Sequence, residues 1–275
     1  VPSRAEPPPE TDLGGGFAGR RAGAGTGAGE RVLWLHGYTL DSTIWGALWE
    51  RLDGWEHIGV DLPGHGGSAD PPTGDTLAAL GGRLAALAGA HEVRHVVALS
   101  LGTIAALELA INRPPGLASL TLAAPAIAGG PQDPAAAARY RELMALHRAG
   151  GSGRELAALW MRSPPDIFLG ASRRPALWSE LSGVVARHRW AELGDGAMRA
   201  VDRHVQPPAA LRSIGVPTLV LVGEHELAAF LRCAAVLRAT VPDCRAVRIP
   251  GAGHLCLLEE PAAAAAAIAE QLSSI

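Results

Sequence analysis

The run Val96-Val97-Ala98-Leu99-Ser100-Leu101-Gly102-Thr103-Ile104-Ala105 limits what this chain can fold into more than any other stretch. An apolar, β-branched segment drives into a single serine, and a small-residue pattern of helical spacing starts right after it. Strand, sharp turn and helix in that order throw the serine out at the tip of the bend with its Oγ exposed. The usual pattern for such a bend is G-x-S-x-G. This chain reads Ala98-x-Ser100-x-Gly102, so the second glycine is kept and the first is alanine. Small residues are required at both places because the helix passes close to the strand.

The same alternation continues on both sides of the bend. Arg31–Leu35 reads as a buried strand ending in His36-Gly37-Tyr38, and Ser42 is placed to cap a helix carrying Ile44, Trp45, Leu48, Trp49 and Leu52. Those tryptophans read as core. His57–Asp61 is a strand followed by the tight turn Leu62-Pro63-Gly64-His65-Gly66-Gly67-Ser68, where His65 reads as structural, and Asp75 caps a helix to about Gly89. After the elbow helix, Leu117–Ala123 is a strand. From Ile127 to about Gln206 the strand signal disappears, and helices are expected over 133–148, 154–161, 176–189 and, more weakly, 197–204. Strands return at 217–223 and 245–249, with helices over 227–239 and 261–272. Strands alternating with helices imply an α/β fold whose mostly parallel sheet is covered on both faces, with ligands beyond the carboxyl ends of the strands. The expected division is a core of 31–126 and 207–275, a helical insertion over 127–206, and a Pro/Gly-rich flexible lead-in over 1–30. That lead-in has room for an edge strand near Phe17 to Arg21.

Composition removes several chemistries. The 275 residues contain no lysine, which excludes P-loop phosphate binding, Schiff bases and pyridoxal phosphate anchoring. A net charge of −3 argues against a nucleic-acid partner, and no apolar run is long enough to span a bilayer. Three scattered cysteines, Cys233, Cys244 and Cys256, make neither a disulfide framework nor a zinc knuckle, and read as small buried thiols. The residues before the first strand lack a signal-peptide pattern, so the expected location is cytoplasmic. Gly14-x-Gly16-x-x-Gly19 fits a dinucleotide fingerprint by spacing, but a Pro-rich tail precedes it and more glycine follows.

A serine hydroxyl is a poor nucleophile until a base takes its proton, and the best base is a histidine oriented by a carboxylate. His254, in the glycine-lined loop Pro250-Gly251-Ala252-Gly253-His254, is the late candidate. The carboxylate is expected between the two in chain order, just past the strand ending at Val222. Glu226 is the first choice there and Glu224 the runner-up. Charge developing on a carbonyl oxygen needs preset donors, for which the backbone N–H groups of Leu101 and Tyr38 are placed.

With His36-Gly37, Asp61-Leu62-Pro63-Gly64-His65-Gly66-x-Ser68, Ser100-x-Gly102, Gly223-Glu224-His225-Glu226 and Gly251-x-Gly253-His254 with Glu260-Pro261 behind, the chain resembles the α/β-hydrolase fold superfamily. The likeness is to single-domain esterases, lactonases and cofactor-free haloperoxidases, and it runs from Arg31 to the C-terminus. It implies a serine–histidine–acid triad, a small-molecule acyl substrate, no cofactor, no metal and a helical cap after the sixth strand. Two departures stand out: Ala98 for the first elbow glycine, and Glu226 where these relatives usually carry Asp. An ester or lactone is the expected substrate, with thioesters and carbon–carbon cleavage of diketones as alternatives for the same triad. His36, Trp160, Phe168 and Trp178 are the candidate pocket residues.

Two readings compete. A hydrolase fold that has lost activity and serves as a binding protein is one, since fold does not guarantee function. The other is His91-Glu92-Val93-Arg94-His95, which fits the zinc-protease pattern H-E-x-x-H. That chemistry needs both histidines on one helical face, whereas residues four apart in a strand lie roughly 13 Å apart. A helix there would also destroy the elbow.

Overall fold

The central strands are mostly apolar and buried, and their alternate side chains feed two separate cores. In β3 (Arg31–Leu35), Val32 and Trp34 join one apolar cluster while Leu33 and Leu35 join another. β5 (Val93–Leu99) and β7 (Thr218–Gly223) split in the same way, so both faces of the sheet are covered. The computed structural model describes residues 6–23, 30–72, 74–195 and 203–275. Its single eight-stranded sheet adds β1 (Glu10–Gly14), β2 (Phe17–Ala22), β4 (Glu56–Val60), β6 (Ser119–Ala123) and β8 (Cys244–Ile249), in the order β1-β2-β4-β3-β5-β6-β7-β8. From β4 to β8 every pair is parallel, and β1 and β2 extend the edge antiparallel.

Within the lead-in, residues 10–22 form regular strand structure that their composition does not suggest. β1 and β2 form a hairpin, and β2 pairs with β4 from Gly19↔Val60 to Ala22↔His57. The Gly14-Gly15-Gly16 stretch supplies the positive φ angles of that hairpin turn, which explains its glycines without a cofactor. Two caps also differ from expectation. Asp41, not Ser42, caps the 3-10 turn Ser42–Trp45 that leads into α1 (Gly46–Trp49), and Thr76, not Asp75, caps α2 (Leu77–Ala90). Asp75 instead makes a two-point contact with Arg83.

The sheet reverses direction of winding at β3, with β4 on one side and β5 on the other. That is a topological switch point, where a crevice opens between the carboxyl ends of β3 and β5. Ser100 follows β5 at this crevice and starts α3 (Leu101–Ile111).

Between β6 and β7 the described residues are helical: α4 (Pro134–Arg148), α5 (Gly153–Trp160), α6 (Leu169–Ser172), α7 (Pro175–Ala186) and α8 (Glu192–Asp195). Asp133 caps α4 with proline at its start, and Ser152 with Glu155 forms a capping box on α5. Most of the helix expected over 197–204 lies outside the described residues. This segment is not an appendage. One apolar cluster runs continuously from Trp34 and Leu221 on the sheet to Leu143, Trp160, Val184 and Trp190 in the helical segment. Buried Arg139 fastens α4 to the end of α5 by donating to the carbonyls of Leu159, Arg162 and Pro164. Among the described residues, no helix is long and apolar enough to cross a membrane.

Candidate active site

Ser100 sits at φ 51°, ψ −119°, a conformation an L-residue adopts only under constraint. The constraint is visible. Its N–H donates to Ala123 O at 2.9 Å, and its carbonyl accepts from Thr103 N–H at 2.9 Å and Thr103 Oγ at 2.5 Å. Thr103 Oγ in turn accepts Ala126 N–H, tying the bend to the loop after β6. A side chain at Gly102 would meet Leu35 O at 2.5 Å and His36 O at 2.6 Å, so this elbow glycine is demanded by the close approach of β3. The alanine at the other position is fully buried and fits its pairing with Leu35 and Leu122.

The structure brings Ser100, His254 and Glu226 together. His254 Nε2 lies 2.8 Å from Ser100 Oγ, and its Nδ1 lies 2.8 Å from Glu226 Oε1. With Nδ1–H donating to the carboxylate, Nε2 is left to accept the serine proton. Both the imidazole and the carboxylate side chain are fully shielded from solvent. Glu226 Oε1 also accepts the Leu227 N–H at the start of helix Ala228–Thr240, while its Oε2 is buried without a partner among the described residues. Glu224 points elsewhere: its Oε2 accepts the Gly251 N–H at an exposed site. A side chain at Gly223 would lie 2.1 Å from Gly253 O, so that glycine lets the histidine loop pass over the end of β7.

Glu259 is a residue the sequence reading missed. It is buried, and it accepts the N–H groups of Gly253 (2.6 Å) and Leu255 (3.2 Å), the two neighbours of His254. Burial raises its pKa, and the Arg174 guanidinium at 3.7 Å works against that shift. The only sequence signal was its position next to the quoted Glu260-Pro261 pair.

Leu101 is the first residue of α3, so its N–H has no acceptor within the helix. The loop after β3 faces it: a methyl group at Gly37 would lie 3.4 Å from Ser100 Cβ, and Tyr38 follows directly. A cavity of about 480 Å³ opens from Ser100 and His254 under the helical segment. Trp160, Phe168, Tyr140, Met144, Ile167 and Phe230 line it. Tyr140 and Met144 stand four apart on α4, a spacing the sequence displays but does not assign to a cavity.

Two pocket candidates are not there. Trp178 packs against the apolar core rather than lining the cavity. His36 is fully buried below the site, with Nε2 accepting Leu62 N–H at 2.9 Å and Nδ1 donating to Gly37 O at 2.8 Å. The zinc reading fails on geometry, because the pair straddles a helix end and a strand. His91 follows α2 and contacts Arg21 and Leu13 O, whereas His95 lies within β5 and contacts Ser119 and Glu30.

His36 belongs to a set of histidines held neutral. His65 accepts Thr39 N–H on Nε2 and donates to Pro63 O, and His57 accepts Trp34 Nε1–H on Nδ1 and donates to Leu52 O. Each ring uses one nitrogen as acceptor, so protonation would break a buried hydrogen bond. Burial lowers all three pKa values, that of His57 to about 4. The unfolded chain takes up these protons near pH 6.5 while the folded chain resists, so stability is lost as pH falls below about 6.5. For His57, a drop from 6.5 to about 4 corresponds to roughly 3 kcal/mol by pH 4. Calorimetry should therefore show a clearly lower Tm at pH 5 than at pH 7.5; a flat profile across that window contradicts the neutral assignment.

The sequence profile of the Alpha/beta hydrolase family matches residues 32–267. A 2-succinyl-6-hydroxy-2,4-cyclohexadiene-1-carboxylate synthase from Salmonella paratyphi B is 28% identical over 249 residues, 88% of this chain and 93% of that protein. A thermophilic esterase from Thermogutta terrifontis superposes with a TM-score of 0.77 at 27% identity, covering 94% of this chain and 93% of that one. A more local likeness, 36% identity over 113 residues, joins 40% of this chain to only 30% of the dihydrolipoyllysine-residue acetyltransferase component of the acetoin cleaving system from Cupriavidus necator.

Proposed function

The chain belongs to the alpha/beta hydrolase family and is a hydrolase enzyme, and from that premise we propose that it cleaves an uncharged carboxylic ester or lactone through an acyl-enzyme on Ser100. The observation that carries this reading is the continuous hydrogen-bonded line from Ser100 Oγ through His254 to Glu226, opening on an apolar cavity. Ser100 Oγ attacks the carbonyl carbon as His254 Nε2 takes its proton, and Glu226 stabilises the imidazolium. The Leu101 and Tyr38 N–H groups hold the oxyanion. Collapse expels the alcohol, which takes the proton from His254. Water, deprotonated by the same imidazole, then releases the acid.

Charge decides the substrate class. Besides His254, two charged residues among the described ones border the cavity, Asp133 and Arg141. Asp133 is committed to capping α4, and Arg141 is exposed. The Salmonella relative is named for making a compound with succinyl and carboxylate groups; among the described residues a dianion would lack buried cationic partners in this cavity, and burying an unpaired carboxylate is costly. An apolar acyl group instead gains roughly 0.8 kcal/mol per buried methylene, about 4-fold in affinity.

A panel of p-nitrophenyl esters tests this, run beside lactones and with fluorophosphonate labelling of Ser100. The expected result is a kcat/KM that rises about 2- to 4-fold per methylene from acetate to hexanoate and falls by at least about 100-fold when the acyl chain ends in a carboxylate. Preference for the carboxylated ester would overturn the substrate class. Absence of labelling would overturn the acyl-enzyme on Ser100.

A further inference from the structure

Tyr38 carries more than the backbone N–H assigned to it. Its ring is enclosed edge-on by Tyr140, Trp160, His188 and Trp190, with centroids 5.0–6.4 Å away, all four from the helical segment. Its hydroxyl donates to Glu192 Oε1 at 2.5 Å, and His188 Nε2 contacts both oxygens of that carboxylate at 3.2 Å. Glu192 and His188 are both buried. The following residue, Thr39, is held at φ 62° by its N–H to His65 and its hydroxyl to Tyr38 O. Next, Asp41 takes two hydrogen bonds from Arg187 at the end of α7. The loop after β3 is therefore fastened to one short stretch of the helical segment, residues 187–192, at two points.

A buried carboxylate needs partners, and this one has a phenol and an imidazole. Neither group touches the reacting atoms, so catalysis by the triad does not explain why a charge is buried there. What the contact does accomplish is mechanical. The Tyr38 ring spans from the oxyanion donor at its backbone to the helical segment at its hydroxyl. A displacement of the Tyr38 Cα that carries its N–H out of place would swing the hydroxyl away from Glu192 or move α8.

We propose that Glu192 is a positioning residue, which through the Tyr38 hydroxyl holds the Tyr38 N–H in its oxyanion-binding orientation and so couples seating of the helical segment over the substrate to catalytic competence. This rests on the serine hydrolase reading above. Misplacing a donor weakens the transition state more than the ground state, so the effect falls on kcat rather than KM. It should be smaller than the roughly 10²–10³ loss seen when an oxyanion donor is removed outright.

The test measures fluorophosphonate labelling rates and ester kinetics for wild type, Tyr38→Phe, Glu192→Ala, Glu192→Gln and the double variant Tyr38→Phe/Glu192→Ala. Tyr38→Phe and Glu192→Ala are each expected to lower kcat and the labelling rate by roughly 10- to 100-fold, with KM changed less than about 3-fold. The double variant should be no worse than the poorer single one, because both cut the same link. Glu192→Gln keeps an acceptor for the hydroxyl and should recover most of the rate. Wild type that labels, with Tyr38→Phe labelling equally fast, overturns the proposal and leaves the hydrolase reading intact. A loss confined to KM, or additive losses in the double variant, overturns it too. Wild type that does not label removes both.

Discussion

Ser100→Ala is expected to lower kcat on any ester the wild type hydrolyses by about 10⁶-fold, and His254→Ala by a comparable factor, as in serine proteases, where nucleophile and base fail together. The fold should survive. The Ser100 hydroxyl makes its hydrogen bond to His254 Nε2, while the bend is braced by backbone bonds to Ala123 and Thr103 that alanine keeps. Steady-state kinetics with circular dichroism and thermal melts check this directly. The double variant should be no slower than either single one, since a base without a nucleophile has nothing to deprotonate. Turnover by Ser100→Ala within about tenfold of wild type would remove the nucleophile, because residual catalysis without it is expected to come only from the oxyanion donors and binding.

Glu226→Gln should cost about 10⁴-fold in kcat, and Glu224→Gln less than about threefold. The amide at 226 can still meet the His254 ring but carries no charge to stabilise the imidazolium, and if its NH₂ faces Nδ1 it imposes the wrong tautomer. At 224 the amide oxygen still accepts the Gly251 N–H at a site open to water. Glu226→Asp sharpens the comparison. The loop is built for the longer side chain, so the carboxylate would fall about 1.5 Å short of Nδ1 and kcat should drop by about 10²-fold. Pre-steady-state acylation rates measure all three. Exchange of the effects between positions 224 and 226 would move the acid to Glu224.

Legibility varied with the range of the interactions involved. β5, the turn at Ser100 and α3 could be read because β-branched residues, a bend and a small-residue helix follow one another within ten positions. Helices 134–148 and 261–273 each carry a proline in the first turn, and the first of them an aspartate cap as well. The lead-in was harder. Its hairpin is poor in strand formers, and it exists because β2 finds the open edge of β4, about 40 residues away. His36 looked like a pocket residue by its place beside Gly37, yet its ring turns down to the Leu62 amide. Trp178 and Trp160 read alike as aromatic residues on helices. Only the tertiary placement of α5 and α7 puts Trp160 at the cavity wall and leaves Trp178 half-buried against the apolar cluster.

The amino-acid order alone determined the succession of strands and helices, the serine at a strained bend and the late histidine in a glycine-lined loop. Propensity, capping and periodicity act between residues a few positions apart, where the chain is its own environment. Tertiary structure decided what meets what. Contact between Ser100 and His254 spans 154 positions, that between His254 and Glu226 spans 28, and Tyr38 reaches Glu192 across another 154. No local rule distinguishes Glu226 from Glu224 or gives Tyr38 a partner. Those choices follow from how the loops at one end of the sheet cross, where a single added Cβ at Gly223 or Gly102 would collide with a neighbouring carbonyl.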